Sequence, residues 1–309
     1  MPRITLILLS FITIVVSTFA EQTNDPRSYN ETIRLNPGNA KGYKDRGEAW
    51  FNSREWDKAI SDLSEAIRIN PKDSDTRAYR GIAYMMENDL NQAIADFDEV
   101  VRLDPTNVFS LCNRGEAYRS KGEFNHAIAD FSESLRLNPT NTAAIKSRAS
   151  VYNVIGELDK SLADWNESLR LNPKDAVALV CRGWVYKKKG QFDNAVRDRI
   201  EAVHLDPMNA EAYNALGWLH ATCPMASVRN GKEAVIAATK ACELTGWKNW
   251  AFIDTLAAAF AETHNFTKAI QYEKKAMDMT GLSESDRKDF QHCLSLYEKG
   301  QPYREELTQ

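Results

Sequence analysis

His220 and Cys223 form a histidine-x-x-cysteine pair, two side chains of the kind that ligate transition metals. Packing is the competing role for His220, for a reason given by its place in the pattern below. Paired aspartates and glutamates, the raw material of general acid–base work, are plentiful along the chain. They fall on faces that read as polar helix surface, where solvation is their expected state. No glycine-rich phosphate loop, HExxH, CxxC or GxSxG is present. The expectation is therefore of a non-enzymatic chain, with no catalytic residue, no metal ligand set and no cofactor.

The bulk composition narrows the partners. A net charge of −4 gives no domain-wide basic excess, which argues against nucleic acid. The cysteines (Cys112, Cys181, Cys223, Cys242 and Cys293) are odd in number and scattered. They read as small helix-packing residues rather than a disulfide framework, and a Cys242–Cys293 bridge has no positive support.

The elements that would position any of these groups emerge from a period. The heptapeptide ESLRLNP occurs at Glu133–Pro139 and again at Glu167–Pro173, 34 residues later. Prolines recur at the same step at Pro37, Pro71, Pro105, Pro139, Pro173 and Pro207, each after Asn or Asp. Glycine returns at Gly47, Gly81, Gly115, Gly183 and Gly217, with Ala149 in the remaining place. Three residues on stand Trp50, Tyr84, Tyr118, Tyr152 and Tyr186, then His220, which is why packing is the preferred role for that histidine. A small residue follows at Ala59, Ala93, Ala127, Ser161 and Ala195. Four further lies a large one at Leu63, Phe97, Phe131 and Trp165, a rule that Arg199 breaks.

Within one period, stretches such as YKDRGEAWF (43–51) and WDKAISDLSEAIRI (56–69) each carry apolar or small residues at helical spacing. A short turn between them forces an antiparallel pair. Gly47 and Ala59 let the two backbones approach, Trp50 and Leu63 fill the seam, and Asn70-Pro71 stops the second helix. One pair cannot bury its apolar face alone, so stability comes from stacked neighbours. ESLRLNP recurs because it is the end of a reused second helix with its stop signal.

This pattern resembles the tetratricopeptide repeat (TPR) family. The resemblance covers residues 40–279 in seven repeats: 40–73, 74–107, 108–141, 142–175, 176–209, 210–249 and 250–279. It implies an all-α fold, a right-handed α-solenoid of helix-turn-helix repeats. The sixth repeat carries five extra residues between Trp218-Leu219-His220 and Ala234, and TGWKNW (245–250) replaces its Asn-Pro stop. The run from ATCP to DTLAAAFAE, roughly 215–280, is similar to the C-terminal end of a bacterial subclass of TPR proteins.

Both ends read as caps. Residues 21–39 hold an N-terminal half-repeat, with PRSYNETIRLNP (26–37) matching only a second helix. Residues 280–309 supply a capping helix opened by Ser283 and Asp286, then a tail, GQPYREELTQ, expected to fray. Ahead of all this, Arg3 precedes the uncharged run Ile4–Val16 and then STFA. That is the layout of a signal peptide over 1–20, and the apolar run is short for a membrane span. An exported location, periplasmic or extracellular, follows as an expectation. The alternative is a membrane-tethered assembly factor whose residues 4–20 stay uncleaved. Sequons at Asn30, Asn166 and Asn265 matter only in a host that glycosylates exported proteins.

The resemblance also implies where a protein or peptide partner sits: along the first helices of the repeats, which line a concave groove. The matching positions offer Met85, Phe109, Arg119, Lys146, Val180, Trp184, Lys187 and Trp218 as partner-binding candidates. Trp184 and Trp218 share one repeat position, so stacking is expected to set them side by side, either as binding anchors or as packing residues. Lys187, Lys188 and Lys189 end a helix, suited to its dipole or to an acidic partner. The family's carboxylate clamp is not assembled: Lys44 is followed by Glu48, then by Tyr79 and Asn113 at the next key positions.

Overall fold

The computed structural model describes residues 25–306. The expected signal segment, 1–20, lies outside the described residues. Every regular element described is helical, and the fold class is all-α, built of repeated helix pairs. None of the described helices is long and apolar enough to cross a membrane.

The chain divides between Val151 and Tyr152 into two compact bodies. In the N-terminal body a 3-10 turn (Pro26–Tyr29) leads into α1 (Asn30–Leu35). Then α2 (Ala40–Asn52) pairs with α3 (Trp56–Ile69), α4 (Ser74–Met86) with α5 (Leu90–Leu103), and α6 (Val108–Ser120) with α7 (Phe124–Leu137). Helix α8 (Thr142–Val154) begins here and runs through the division. The C-terminal body continues with α9 (Leu158–Leu171). In it α10 (Ala176–Lys188) pairs with α11 (Phe192–Leu205), α12 (Ala210–Thr222) with α13 (Gly231–Leu244), and α14 (Trp250–Glu262) with α15 (Phe266–Met277). Helix α16 (Glu284–Glu298) packs on α15.

Each junction is local chemistry repeated. The Asn or Asp before proline closes a helix by donating its N–H back to a carbonyl four residues earlier, as Asn70 does to Ala66. Two residues after the proline, an Asn or Asp caps the next helix: Asp73 accepts from Thr76 N–H at 3.1 Å and Asn107 from Ser110 N–H at 2.8 Å. The turn inside a pair needs one left-handed residue. Gly122, Gly156 and Gly190 supply it without strain, while Arg54 (φ 59°) and His264 (φ 59°) adopt it against their own preference.

The seams are tight. A Cβ on Gly81 would lie 2.9 Å from the Phe97 ring, and one on Gly115 would lie 2.8 Å from Phe131. Phe97, Phe131 and Trp165 are buried, each worth roughly 1.5–3 kcal/mol of apolar transfer. Glycine here makes room for a large side chain of the facing helix as much as for its backbone.

One expectation is overturned inside these seams. Asp62, Asp96, Asp130 and Asp198 are buried rather than solvated. Each is gripped by an arginine 16 residues earlier through two bonds of 2.6–2.8 Å: Arg46, Arg80, Arg114 and Arg182. The third donor of each guanidinium, Nη1, reaches back a further 16 residues, to Asn30, Ser64, Asp98 and Asn166. A planar fork can satisfy a carboxylate and still bridge to another helix, which a lysine cannot do. By contrast, the Glu–Arg pairs of the ESLR type (Glu133–Arg136, Glu167–Arg170) do lie exposed.

The C-terminus departs from expectation too. Ser283 and Asp286 form the reciprocal capping pair. Residues 300–306 of the following segment do not fray: Gly300 (φ 72°) turns the chain out of α16, and residues 303–305 lie against α10, α12 and α14, while 307–309 lie outside the described residues.

Candidate functional site

The site is built on the C-terminal ends of α10, α12 and α14, closed by the returning tail. On α10, Lys187 donates from Nζ to Glu305 Oε1 at 2.6 Å. On α12, Trp218 donates from Nε1 to the same oxygen, also at 2.6 Å. The Glu305 backbone N–H donates to the Thr222 carbonyl at 2.9 Å, at the end of α12, where helix carbonyls are otherwise unsatisfied. Tyr303 lays its ring near Trp218, 5.9 Å between centroids, and edge-on to His292 at 6.2 Å. Arg304 pairs with Glu262 of α14 and donates from Nη1 to the Ala221 carbonyl of α12 at 3.4 Å.

Arg199 of α11 is buried close enough to feel the charge of Glu305. It is 3% exposed, and its Nε and Nη1 have no hydrogen-bond partner. Burial lowers its affinity for the proton, to a pKa of about 10, while the charges of Glu305 and Asp198 oppose that loss. A cavity of about 480 Å³ adjoins the contact, lined among others by Trp184, Lys188, Phe192, Pro224 and Glu306. Lys188 holds its ammonium 3.9 Å from the centre of the Trp184 ring, and burial pulls its pKa down.

The loop after α12 is fastened independently. His220 Nδ1 pairs with the Val228 carbonyl at 2.8 Å, and Arg229 donates to the carbonyls of Cys223 and Pro224. His220 is thus engaged with the inserted loop, and Cys223 is fully buried.

The eight candidates taken from the sequence do not form one cluster. Trp184, Lys187 and Trp218 surround the tail contact and its cavity, and Val180 sits half-buried one turn before Trp184 on α10. Trp218 is 8% exposed and meets Tyr303, while Trp184 meets Lys188, so each indole has its own neighbour. The other four belong to the N-terminal body. Met85 and Phe109 pack on the cluster around Phe51, Ile82 and Phe97. Arg119 is bound to Glu116 at 2.7 Å, and Lys146 is half-buried on α8. The clamp position Lys44 is taken by Asp73, at 3.2 Å.

Three participants escaped the sequence reading as site residues: Arg199, Tyr303 and Glu305. Arg199 did leave a signal, as the one charged residue at a position otherwise Leu, Phe or Trp. Glu305 left none. One further group has the donor types and proximity to hold a cation. Ligand atoms of Asp254, Glu273 and Cys293, all buried and drawn from α14, α15 and α16, lie within 4.8 Å of one another. Their spacing in sequence matches no metal motif.

Comparison with known proteins places the helix pairs. The tetratricopeptide repeat family models match residues 75–107 and 108–141. A solved tetratricopeptide repeat protein from Parabacteroides merdae ATCC 43184 superposes with a TM-score of 0.61 at 19% identity, covering 88% of this chain and 99% of its own. MamA matches with a TM-score of 0.52 at 25% identity, over 56% of this chain and 94% of its own. YrrB, described as a TPR protein with an unusual peptide-binding site, matches with a TM-score of 0.53 at 18% identity, over 63% of this chain and 98% of its own. Among curated proteins none matches.

Proposed function

Since the chain is a tetratricopeptide repeat protein, we propose that it is a non-enzymatic scaffold which receives an extended segment of a partner protein on the α10–α12 face of its C-terminal body. One observation carries this reading. That face already grips a non-helical stretch of polypeptide, through Lys187, Trp218 and the Thr222 carbonyl. Side-chain anchors give such a contact its selectivity, and backbone bonds give it tolerance of sequence. Trp184 and the adjoining cavity extend the surface available beyond the tail. The apolar surface and fixed polar donors suit binding, and no nucleophile and base stand together there.

The compartment belongs to the same proposal. The Arg3, Ile4–Val16, STFA layout supports export, with the membrane-tethered form as the second reading. Mass measurement of the mature N-terminus separates them: an end near Glu21 supports export, and an intact Met1 end supports tethering.

The test of binding is an affinity capture from the exported fraction, read by mass spectrometry, with Trp184→Ala and Lys187→Glu variants alongside. Both variants are first checked by circular dichroism. A protein captured by the parent chain and lost with either variant supports the α10–α12 face. Equal capture by all three moves partner binding elsewhere on the molecule.

A further inference from the structure

The place where Glu305 rests is made of residues that depart from the repeat. Arg199 stands where Leu63, Phe97, Phe131 and Trp165 fill the seams of other pairs. A guanidinium buried to 3% exposure with two nitrogens lacking hydrogen-bond partners is costly unless a negative charge sits close by. Asp198, the neighbouring carboxylate, is already taken up by both arms of Arg182. Of the charges that act on Arg199, that of Glu305 favours its charged form most, without a direct ion pair between them. Lys187 and Trp218 aim their donors at that same point from two other helices. Two helices thus prepare one seat for one carboxylate, with the buried charge of Arg199 on a third nearby, and the chain fills that seat with its own tail, 87 residues beyond Trp218.

We propose that Lys187 and Trp218, with the buried charge of Arg199 nearby, form a carboxylate-binding subsite for a peptide carrying an aromatic residue two positions before an acidic one, and that the chain's own Tyr303-Arg304-Glu305 covers it until a partner segment of that chemistry exchanges in. The spacing is read from the tail itself. Tyr303 and Glu305 both meet Trp218, while Arg304 between them pairs with Glu262. This deepens the partner-binding reading above and rests on it. Because the tail is tethered, it competes at an effective concentration in the millimolar range. A free peptide of ordinary, roughly 0.1 mM affinity is therefore held off about tenfold.

The experiment uses a fluorescein-labelled peptide, GQPYREE, titrated by anisotropy against three full chains: the parent, Glu305→Gln and Tyr303→Ala/Glu305→Gln. Expected is weak binding to the parent and about tenfold tighter binding to the double variant, whose tail no longer holds the seat. The same peptide with Gln in place of its last-but-one Glu is expected to lose at least tenfold on the double variant, and so is the parent peptide on a chain that also carries Lys187→Ala. A folded double variant that binds the peptide no better than the parent chain overturns the proposal. Equal binding of the Glu and Gln peptides overturns it too. If the peptide exchanges as expected but the captured partner is indifferent to Lys187→Glu, the subsite stands and the partner-binding reading falls. If the partner is lost with Lys187→Glu while the peptide never exchanges, the reverse holds.

Discussion

Lys187 and Trp218 donate to a single oxygen, Glu305 Oε1, each over 2.6 Å, from two different helices. A carboxylate held by two such donors is fixed in position as well as neutralised. Trp218→Phe keeps the ring and removes one donor. A hydrogen bond to a charged group is worth roughly 1.5–3 kcal/mol, so the detached tail should become at least tenfold more populated. Trypsin cleavage after Arg304 reports this directly, and unchanged cleavage would mean the indole N–H does not anchor the tail.

Arg199→Leu restores the residue type of the other seams. Removing this buried charge strands no carboxylate, because Glu305 keeps its donors Lys187 and Trp218, and it removes two guanidinium nitrogens that lack partners. The expected urea midpoint is equal to or above the parent. Glu305→Ala, in contrast, should destabilise the parent by about 1–3 kcal/mol and the Arg199→Leu background by clearly less. Additivity of the two changes would show that Arg199 and Glu305 do not interact.

Arg114→Ala strands Asp130, buried and accepting two bonds from that guanidinium. The expected loss is about 3–5 kcal/mol. Arg136→Ala, in an exposed pair with Glu133, should leave the melting curve in place. The contrast between two arginines 22 residues apart is the measurement.

Gly81→Ala drives a methyl to 2.9 Å from the Phe97 ring and should cost about 1–3 kcal/mol. Arg54→Gly relieves a left-handed backbone (φ 59°) and should gain up to about 1 kcal/mol. Thermal melts that move in the same direction for both would refute this account of the seams and turns.

Stability should fall in alkali. Burial pushes the Cys242 thiol up to about 12, and burial and the nearby Glu48 and Asp75 push Tyr79 to about 12 as well. Tyr297 is raised well above the usual tyrosine value, chiefly by burial. Each raised acid keeps its proton in the folded chain after the unfolded chain has lost it. Its contribution is intact below the unfolded value, near 9 for the thiol and 10 for the phenols, and is lost as pH climbs toward the folded value. The slope is about 1.4 kcal/mol per pH unit for each group. Cys242→Ala should flatten the part of the decline that begins near pH 9, and an unchanged slope in urea titrations would remove Cys242 from the cause.

What the sequence disclosed followed from repetition. Helix pairs, proline stops and aromatic seams each appear several times, so a period exposes them. The Arg46–Asp62, Arg80–Asp96 and Arg114–Asp130 pairs share that period and were equally visible, but charged residues on a helix read as solvated until their burial is known. The tail contact is different in kind. Glu305 occurs once, its partners lie 87 and 118 residues away, and the left-handed turn at Gly300 that sends it back is a single local event. Only Arg199, a charge in an apolar series, hinted that something unusual had to lie above it.

The arginine forks have an evolutionary side. Each guanidinium holds an aspartate 16 residues ahead and, through Nη1, a polar atom 16 residues behind, so every stitch runs from one helix pair to the helix before it at a constant offset. A tandem duplication of 34 residues copies both halves of the stitch at once, and the newcomer arrives with its connections already cut to length. Gene-level slippage in whole repeats can thus lengthen or shorten such an array without inventing a single new contact. A slip of any other size between an arginine and its aspartate separates the two and leaves the aspartate buried without its partner.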